Sequence, residues 1–131
     1  MVLVDSSVWI NYLREPTSLL GLELQTLIDR NQVIMVGVVF AEVLQGARGE
    51  AEYAQLAPHL DRVPYVEADK GTWMSAGAIS MHLRAGGQAT PLTDLVIAAL
   101  ALEGGHQVFS LDGHFRRIPG LRLYEPLGRV N

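Results

Sequence analysis

The sequence predicts an α/β domain in which helices cover both faces of a parallel sheet. Short apolar runs such as residues 2–4 and 33–36 indicate buried strands, and segments with helical spacing of apolar side chains separate them. Strands that alternate with helices at these lengths are typical of a parallel sheet. No linker, repeat or low-complexity stretch interrupts the 131 residues, so we expect a single domain at residues 1–131.

The first half of the chain begins with a strand and a helix. Ser6 and Ser7 can cap that helix, and Pro16 then breaks the chain before leucines recur at helical spacing. Because glycine is common at helix ends, a later helix stops at Gly46 or Gly49. The expected elements are a strand at residues 2–4, helices at 8–13 and 19–28, a strand at 33–36, a helix from 37 to Gly46 or Gly49, and a helix at 50–60.

The second half contains two helices between short strands. Asp69 begins one helix, which stops at Gly86. Thr90 caps the other with Pro91 at its first helical position, and this helix runs to Gly104. The expected elements are a strand at residues 63–66, helices at 69–85 and 91–103, a strand at 107–110, a helical turn at 114–118 and a last strand at 121–124.

The composition restricts the class of protein. The net charge of −4 disfavours a polyanion-binding surface over the whole chain, and Lys70 is the only lysine among ten basic residues. The chain has no cysteine, which excludes disulfides, thiolate metal sites and cysteine nucleophiles. No apolar stretch approaches the roughly 18 residues of a membrane span, and the N-terminus lacks the pattern of a signal peptide. We therefore expect a cytoplasmic protein without a membrane segment.

Four carboxylates stand where an apolar segment meets a turn or small residues. They are Asp5, Glu42, Asp94 and Asp112. Residues just beyond the carboxyl ends of parallel strands converge on one crevice. Four acids gathered there cannot all stay ionised without a cation, so the pattern predicts a metal site. Because the ligands are all oxygens, we expect a hard cation, Mg²⁺ or Mn²⁺.

Each acid, taken alone, also has a purely structural explanation. Asp5 can cap a helix, and Asp94 in a first helical turn suits the helix dipole. Asp112 precedes Gly113 in a common turn pair, and Glu42 can be a solvated residue on a helix.

The joint pattern favours phosphoryl transfer. Glu42, Gly46 and Gly49 fall on one helical face without large apolar side chains, and such a face can line a crevice for a polymer backbone. Divalent ions held by carboxylates lower the pKa of an attacking water and neutralise the charge that develops on a scissile phosphate. We therefore predict phosphodiester hydrolysis.

Four stretches of the chain resemble PIN-domain ribonucleases, and most closely the VapC-type toxins of bacterial and archaeal toxin–antitoxin pairs. They are residues 4–10, 41–46, 93–99 and 110–118. The family has an acid at each position that corresponds to Asp5, Glu42, Asp94 and Asp112. The stretches occur in the family's order and spacing over almost the whole chain. The resemblance implies a PIN-like three-layer α/β/α domain with a central parallel sheet.

The resemblance also implies an activity and partners. In such a protein the four acids hold one or two Mg²⁺ or Mn²⁺ ions, and an activated water cleaves RNA to leave a 5′-phosphate and a free 3′-hydroxyl. Ser7 and Ser110 would help to order the site, with helix-cap and turn hydroxyls as the alternative. A cognate VapB-like antitoxin would pack its C-terminal segment over the site, often with an arginine near the metal. A homodimer or a toxin–antitoxin hetero-oligomer is the implied assembly.

Other side chains near these stretches have two interpretations each. His114 can contact phosphate, but we interpret it as a surface residue or one that supports the ligands, since it has no partner ligand in the sequence. Arg116 and Arg117 can bind RNA phosphates or suit a helix end. Three aromatic residues fit helical apolar stripes, and we interpret them as core or interface residues: Trp9, Tyr12 and Trp73.

Rival classes share part of the pattern. A receiver-type signalling domain would need a lysine after a late strand, whereas Lys70 begins a middle helix, so we reject that class. A catalytically inactive PIN-fold module that acts by protein-partner or RNA binding is the main alternative. The loss of one acid would indicate such a module, and none is missing. A DNA-directed nuclease of similar fold is a third class, but the chain lacks an added DNA-clamping domain.

Overall fold

A four-stranded parallel sheet forms the centre of the computed structural model, which describes residues 1–127. The last four positions of the expected domain at residues 1–131 lie outside the described residues. The strands are β1 (Val2–Val4), β2 (Val33–Val36), β3 (Tyr65–Val66) and β4 (Gln107–Phe109), in the order β3-β2-β1-β4. The helices are α1 (Ser6–Arg14), α2 (Leu19–Asp29), α3 (Gly37–Leu44), α4 (Glu50–Asp61), α5 (Lys70–Ala85) and α6 (Leu92–Gly104), followed by a 3₁₀ helix (Gly113–Arg117).

Strand β1 occupies the middle of the sheet. Leu3 pairs with Ile34 of β2 on one side and with Val108 of β4 on the other. Successive side chains of a strand point to opposite faces, and all three side chains of β1 are buried. The sheet is therefore covered on both faces, as a continuously apolar parallel strand requires. This confirms the predicted α/β class.

Helix α6 is the most deeply buried helix segment next to the sheet. Its eight consecutive residues from Asp94 to Ala101 are all buried, and it packs closely against α5. A helix that is apolar all round belongs inside a domain, so α6 gives its first turn a rigid position. None of the helices within residues 1–127 combines the length and the hydropathy that a membrane span needs.

Several predicted element boundaries are wrong, among them the end of α3 and the start of β3. Helix α3 ends at Leu44. Just after it, the N–H of Gly46 donates a hydrogen bond of 3.2 Å to Val43 O in a tight turn. Gly46 and Gly49 therefore lie outside the helix, and the predicted small-residue face with Glu42 does not exist. Strand β3 begins only at Tyr65, because Val63 N still bonds to the end of α4 through Leu60 O.

The predicted cap of α6 is also wrong. Pro91 has an extended ψ of 141° and occupies the N-cap position, so the helix begins one residue later than expected, at Leu92. The hydroxyl of Thr90 is buried without a hydrogen-bond partner, and no side chain caps this helix.

The predicted last strand at residues 121–124 is reduced to one bridge. Val108 pairs with Leu123 in parallel, with Val108 N donating to Arg122 O and Tyr124 N donating to Val108 O. Strand β4 ends at Phe109, so residues 121–124 cannot form a longer run of strand pairs with it.

The aromatic residues of the helical stripes divide between core and surface. Trp9 is buried and meets the half-buried Tyr12 edge to face, with ring centroids 6.0 Å apart, which confirms their assignment to the core. Trp73 is 49% exposed, so its assignment to the core is wrong. An interface role for Trp73 stays a prediction.

Candidate metal centre

The parallel sheet brings four acids towards one edge. Asp5 directly follows β1, and Asp112 follows β4 after two residues. Glu42 lies on α3, which starts at the end of β2, and Asp94 lies in the first turn of α6. Asp5 N donates a hydrogen bond of 2.9 Å to Phe109 O, so the ends of β1 and β4 stay side by side. The carboxyl ends of parallel strands are the usual place for a binding crevice.

Asp5 is held by two serine hydroxyls. Its Oδ2 accepts hydrogen bonds from Ser7 Oγ at 2.9 Å and from Ser110 Oγ at 2.8 Å, and the residue is only 5% exposed. Asp5 occupies the N-cap position of α1, but its side chain makes no capping bond. The side chain of Asp5 therefore does not cap α1.

The two predicted supporting serines connect distant parts of the chain. Ser110 Oγ accepts a hydrogen bond of 2.9 Å from Asp112 N, while Ser7 Oγ accepts one of 3.1 Å from Leu111 N. The hydroxyl of Ser7 therefore bonds to Asp5 and to the loop after β4. The sequence predicts Ser7 as a cap of α1, and that prediction is wrong. Ser6 directs its hydroxyl to the carboxylate of Glu42.

His114 bridges the other two acids. Its Nδ1 lies 3.0 Å from Asp94 Oδ2 and 3.0 Å from Asp112 Oδ1. Its backbone N–H also donates to Asp112 Oδ1 at 2.9 Å. The sequence interpretation placed His114 at the surface or beside the ligands, and did not include it in the site. The two-residue spacing from Asp112 was the available signal, because an Asx turn brings such residues together.

The acids repel one another. Burial raises the pKa of Glu42 above its ordinary value, and the charges of Asp5 and Asp94 raise it further, although the Ser6 hydroxyl opposes them. Burial also raises the pKa of Asp94, which the hydrogen bond from His114 lowers and the charges of Asp5 and Asp112 raise. The ionised forms are thus disfavoured in the folded protein, and a divalent cation is the partner that would relieve this repulsion.

Three side chains form a compact ligand group. Among residues 1–127, Asp94, Asp112 and His114 are the one set whose ligand atoms all lie within 4.8 Å of one another. Two carboxylates and one imidazole fit a divalent ion. Asp5 and Glu42 lie outside this trio, although their charges act on Asp94 or on each other. The ring nitrogen of His114 thus lies beside two of the oxygen donors expected from the sequence.

Two arginines flank the acids. Arg116 and Arg117 are exposed at the end of the 3₁₀ helix. Arg116 lines a small cavity together with Ser110 and Asp112. Arg117 Nη1 donates to Ala89 O at 3.4 Å, which directs it towards the loop before α6. Their predicted contact with RNA phosphates stays a prediction.

Comparison with known proteins identifies relatives of this chain. A model of the PIN domain family matches residues 2–121. Ribonuclease VapC11 of Mycobacterium tuberculosis is 27% identical over 119 residues, which cover 88% of this chain and 89% of that protein.

Solved structures share the fold. In the DNA-bound VapBC2 complex of Rickettsia felis, the matching chain is 20% identical with a TM-score of 0.80, over 95% of this chain and 98% of that one. In the DNA-bound VapBC complex of Salmonella typhimurium, the matching chain is 19% identical with a TM-score of 0.78. The match covers 94% of this chain and 96% of that one. At these identities the likeness establishes the three-dimensional fold.

Proposed function

The chain belongs to the PIN domain family, and on that basis we propose that it is a metal-dependent endoribonuclease, the toxin of a toxin–antitoxin pair. The observation that carries the proposal is the gathering of acids at one sheet edge. Burial raises the pKa values of Glu42 and Asp94, and the charge of Asp5 raises both further. A cation would relieve this repulsion, and the relative VapC11 is named a ribonuclease. The cation proposed is Mg²⁺ or Mn²⁺, because both accept carboxylate oxygens.

The proposed reaction is hydrolysis of an RNA phosphodiester. A water oxygen attacks phosphorus, the bond from phosphorus to O3′ breaks, and O3′ takes up a proton. The products are a 5′-phosphate and a free 3′-hydroxyl. A divalent ion, when bound, supplies a water of lowered pKa and neutralises charge on the phosphate.

The residues of the chain hold this site in a fixed geometry. Asp5, Glu42, Asp94 and Asp112 are proposed to hold the ion, and Asp94 and Asp112 lie in one compact group with His114. The hydroxyls of Ser7 and Ser110 fix the rotamer of Asp5 through Oδ2. A carboxylate that is already oriented needs less ordering when an ion or substrate arrives.

The basic side chains of the 3₁₀ helix are proposed to meet the RNA backbone. Arg116 and Arg117 are exposed beside Asp112, and arginine suits phosphate because of its planar donor fork. An acidic site needs such flanking cations to approach a polyanion, because the net charge of the chain is −4. We expect RNA cleavage to take place in the cytoplasm.

A cognate VapB-like antitoxin is the proposed protein partner. The structural neighbours from Rickettsia felis and Salmonella typhimurium are VapBC complexes bound to DNA. We extend this pairing to the present chain, as a homodimer or as a hetero-oligomer with the antitoxin. The catalytically inactive module is the less favoured function, because all four acids stand at or near one sheet edge.

The experiment that tests the function is cleavage of total cellular RNA by the purified chain. We expect discrete fragments with Mg²⁺ or Mn²⁺ and none with EDTA or with Asp5→Asn. Asp29→Asn is the matched control, because Asp29 is an exposed acid at the end of α2, before β2 and away from the carboxyl ends of the strands.

Two results would contradict the proposal. Cleavage that survives in Asp5→Asn or in EDTA would point to a contaminating nuclease. A wild-type chain that neither cleaves RNA nor binds Mn²⁺ would favour the inactive binding module.

A further inference from the structure

His114 meets both Asp94 and Asp112 through one ring nitrogen. Its Nδ1 is 3.0 Å from Asp94 Oδ2 and also 3.0 Å from Asp112 Oδ1. We propose that His114 binds the divalent ion directly, together with Asp94 and Asp112, and that this nitrogen shifts the preference of the site from Mg²⁺ to Mn²⁺. The inference rests on the proposed function, since it concerns the ion of the same site.

The two separations from Nδ1 of His114 match those of neighbouring ligands on one ion. In an octahedral site with bonds of about 2.1 Å, adjacent ligand atoms lie about 3 Å apart. Nδ1 keeps that separation from both oxygens, and all three atoms lie within 4.8 Å of one another. A separation of about 3 Å also suits a protonated ring that donates hydrogen bonds to the two carboxylates, so the protonation form of the ring decides between the two roles.

The backbone holds the three ligands in place. The N–H of His114 donates to Asp112 Oδ1 at 2.9 Å, and the N–H of Asp112 donates to Ser110 Oγ at 2.9 Å. Phe115, next to His114, is buried and anchors the 3₁₀ helix in the core. Asp94 lies on the buried helix α6. The group is therefore arranged before an ion arrives, and binding requires little reorganisation.

The tautomer of His114 distinguishes a ligand from a mere counter-ion. As a counter-ion, the ring carries its proton on Nδ1 and donates it to Asp94 and Asp112. As a ligand, the neutral ring carries its proton on Nε2 and presents the lone pair of Nδ1. The side chain is 35% exposed, so a proton on Nε2 can reach water.

The kinds of donor atom in the site determine which ion it prefers. Mg²⁺ binds oxygen ligands and keeps several of its waters, whereas imidazole is a ligand of transition metals. Sites that combine carboxylates with histidine hold manganese or iron in helical proteins. Two carboxylates and one imidazole therefore favour Mn²⁺ over Mg²⁺ relative to a site of oxygens alone.

The test is pulsed EPR of the full chain loaded with Mn²⁺. Electron spin echo envelope modulation detects a nitrogen bound to the ion. We expect a nitrogen signal from the wild type, a change in its pattern after labelling with ¹⁵N-histidine, and no nitrogen signal from His114→Gln or His114→Asp. His82→Gln is the matched control, because His82 is exposed on α5, and it should keep the signal.

Binding constants give a second readout. We expect His114→Gln to weaken Mn²⁺ binding by at least about tenfold and Mg²⁺ binding by less. His114→Asp replaces nitrogen with oxygen, so it should restore Mg²⁺ binding more than Mn²⁺ binding.

The outcomes separate this inference from the proposed function. Mn²⁺ bound to the wild type without a nitrogen signal would overturn the role of His114 and leave the metal nuclease standing. A wild type that binds no Mn²⁺ would overturn both. Because the decisive signal comes from the unaltered chain, a variant that fails to fold does not spoil the test.

Discussion

The hydroxyl of Ser110 donates a hydrogen bond of 2.8 Å to Oδ2 of Asp5, and the two residues are 105 positions apart in the sequence. The same oxygen of Ser110 accepts the N–H of Asp112. One side chain thus orients an acid after β1 and the backbone of an acid after β4. The relationship depends on the parallel pairing of these two strands.

Ser110→Ala should reduce RNA cleavage by about tenfold, which is typical for the loss of a group that orients metal ligands. It should also lower the free energy of unfolding by about 1 kcal/mol, because Asp112 N loses its partner. Cleavage rates and urea denaturation measure the two effects. Ser75→Ala, at an exposed position of α5, is the control. Wild-type cleavage by Ser110→Ala would show that the hydroxyl does not order the site.

Asp5→Asn and Asp94→Asn should each abolish cleavage without destabilising the protein in EDTA. The reason is that these carboxylates repel one another in the absence of a cation, so removing one charge relieves the others. Thermal melts in EDTA and with Mn²⁺ measure this, and only the wild type should gain stability from the ion. A large fall in Tm for both variants in EDTA would mean that the acids are structural.

The ion-free protein should lose stability as the pH rises from the ordinary pKa values of Glu42 and Asp94 through their raised values in the folded chain. Glu42 and Asp94 have raised pKa values in the folded chain, so the folded state binds more protons than the unfolded state over this range. Stability is then fully present below the ordinary pKa values and is lost as the pH rises through the folded ones. Urea unfolding at several pH values in EDTA measures the slope, and the double variant Glu42→Gln with Asp94→Asn should flatten it. An equal slope in that variant would assign the effect to other groups.

Tyr124→Phe should lower the free energy of unfolding by about 1 kcal/mol. The hydroxyl donates to Glu23 of α2, whereas the ring, 4.8 Å from that of Phe109, stays in place. Burial and Glu23 raise the pKa of Tyr124 to about 12, so its stabilising effect is present below pH 10 and is lost as the pH rises through the folded value. Denaturation at neutral and alkaline pH measures both effects, with the exposed Tyr53→Phe as control. Equal alkaline sensitivity of wild type and Tyr124→Phe would contradict this account.

Gly104→Ala should destabilise the protein by about 1 kcal/mol, which is typical of overpacking. A Cβ at this position would lie 2.2 Å from Nε2 of His106, so the imidazole must move. Gly77→Ala provides the opposite case, since its Cβ would meet nothing within 4 Å. Because Gly77 lies in the interior of α5, Gly77→Ala should raise the free energy of unfolding by about 0.5–1 kcal/mol. Chemical denaturation of both variants measures the difference in sign, and two changes of the same sign would contradict the packing argument.

The repeating patterns made much of the fold predictable. Strand β2 was predicted at its observed residues because a short run of four apolar residues lies between Gln32 and Gly37. The end of α3 was not predictable in the same way. Both Gly46 and Gly49 offer a helix stop, and the choice depends on the local hydrogen bond from Gly46 N to Val43 O. Local signals thus identified the elements, and single backbone contacts set their ends.

The site was predictable for its acids more than for its contacts. Asp5 and Asp112 could be found because each follows an apolar strand. The contact of His114 with Asp94 could not, because it depends on how the 3₁₀ helix packs against α6, and only the local contact with Asp112 has a signal in the sequence. The same limit applies to Ser7, whose hydroxyl reaches Leu111 N across 104 positions.

The central place of β1 has a consequence for protein synthesis. Asp5 is translated before its partner Ser110, which follows it by 105 positions, and before Asp112 and His114. Until β4 pairs beside β1, a nascent chain therefore cannot bring these side chains together. We expect the proposed nuclease site to assemble only after the ribosome has passed the segment that carries Asp112.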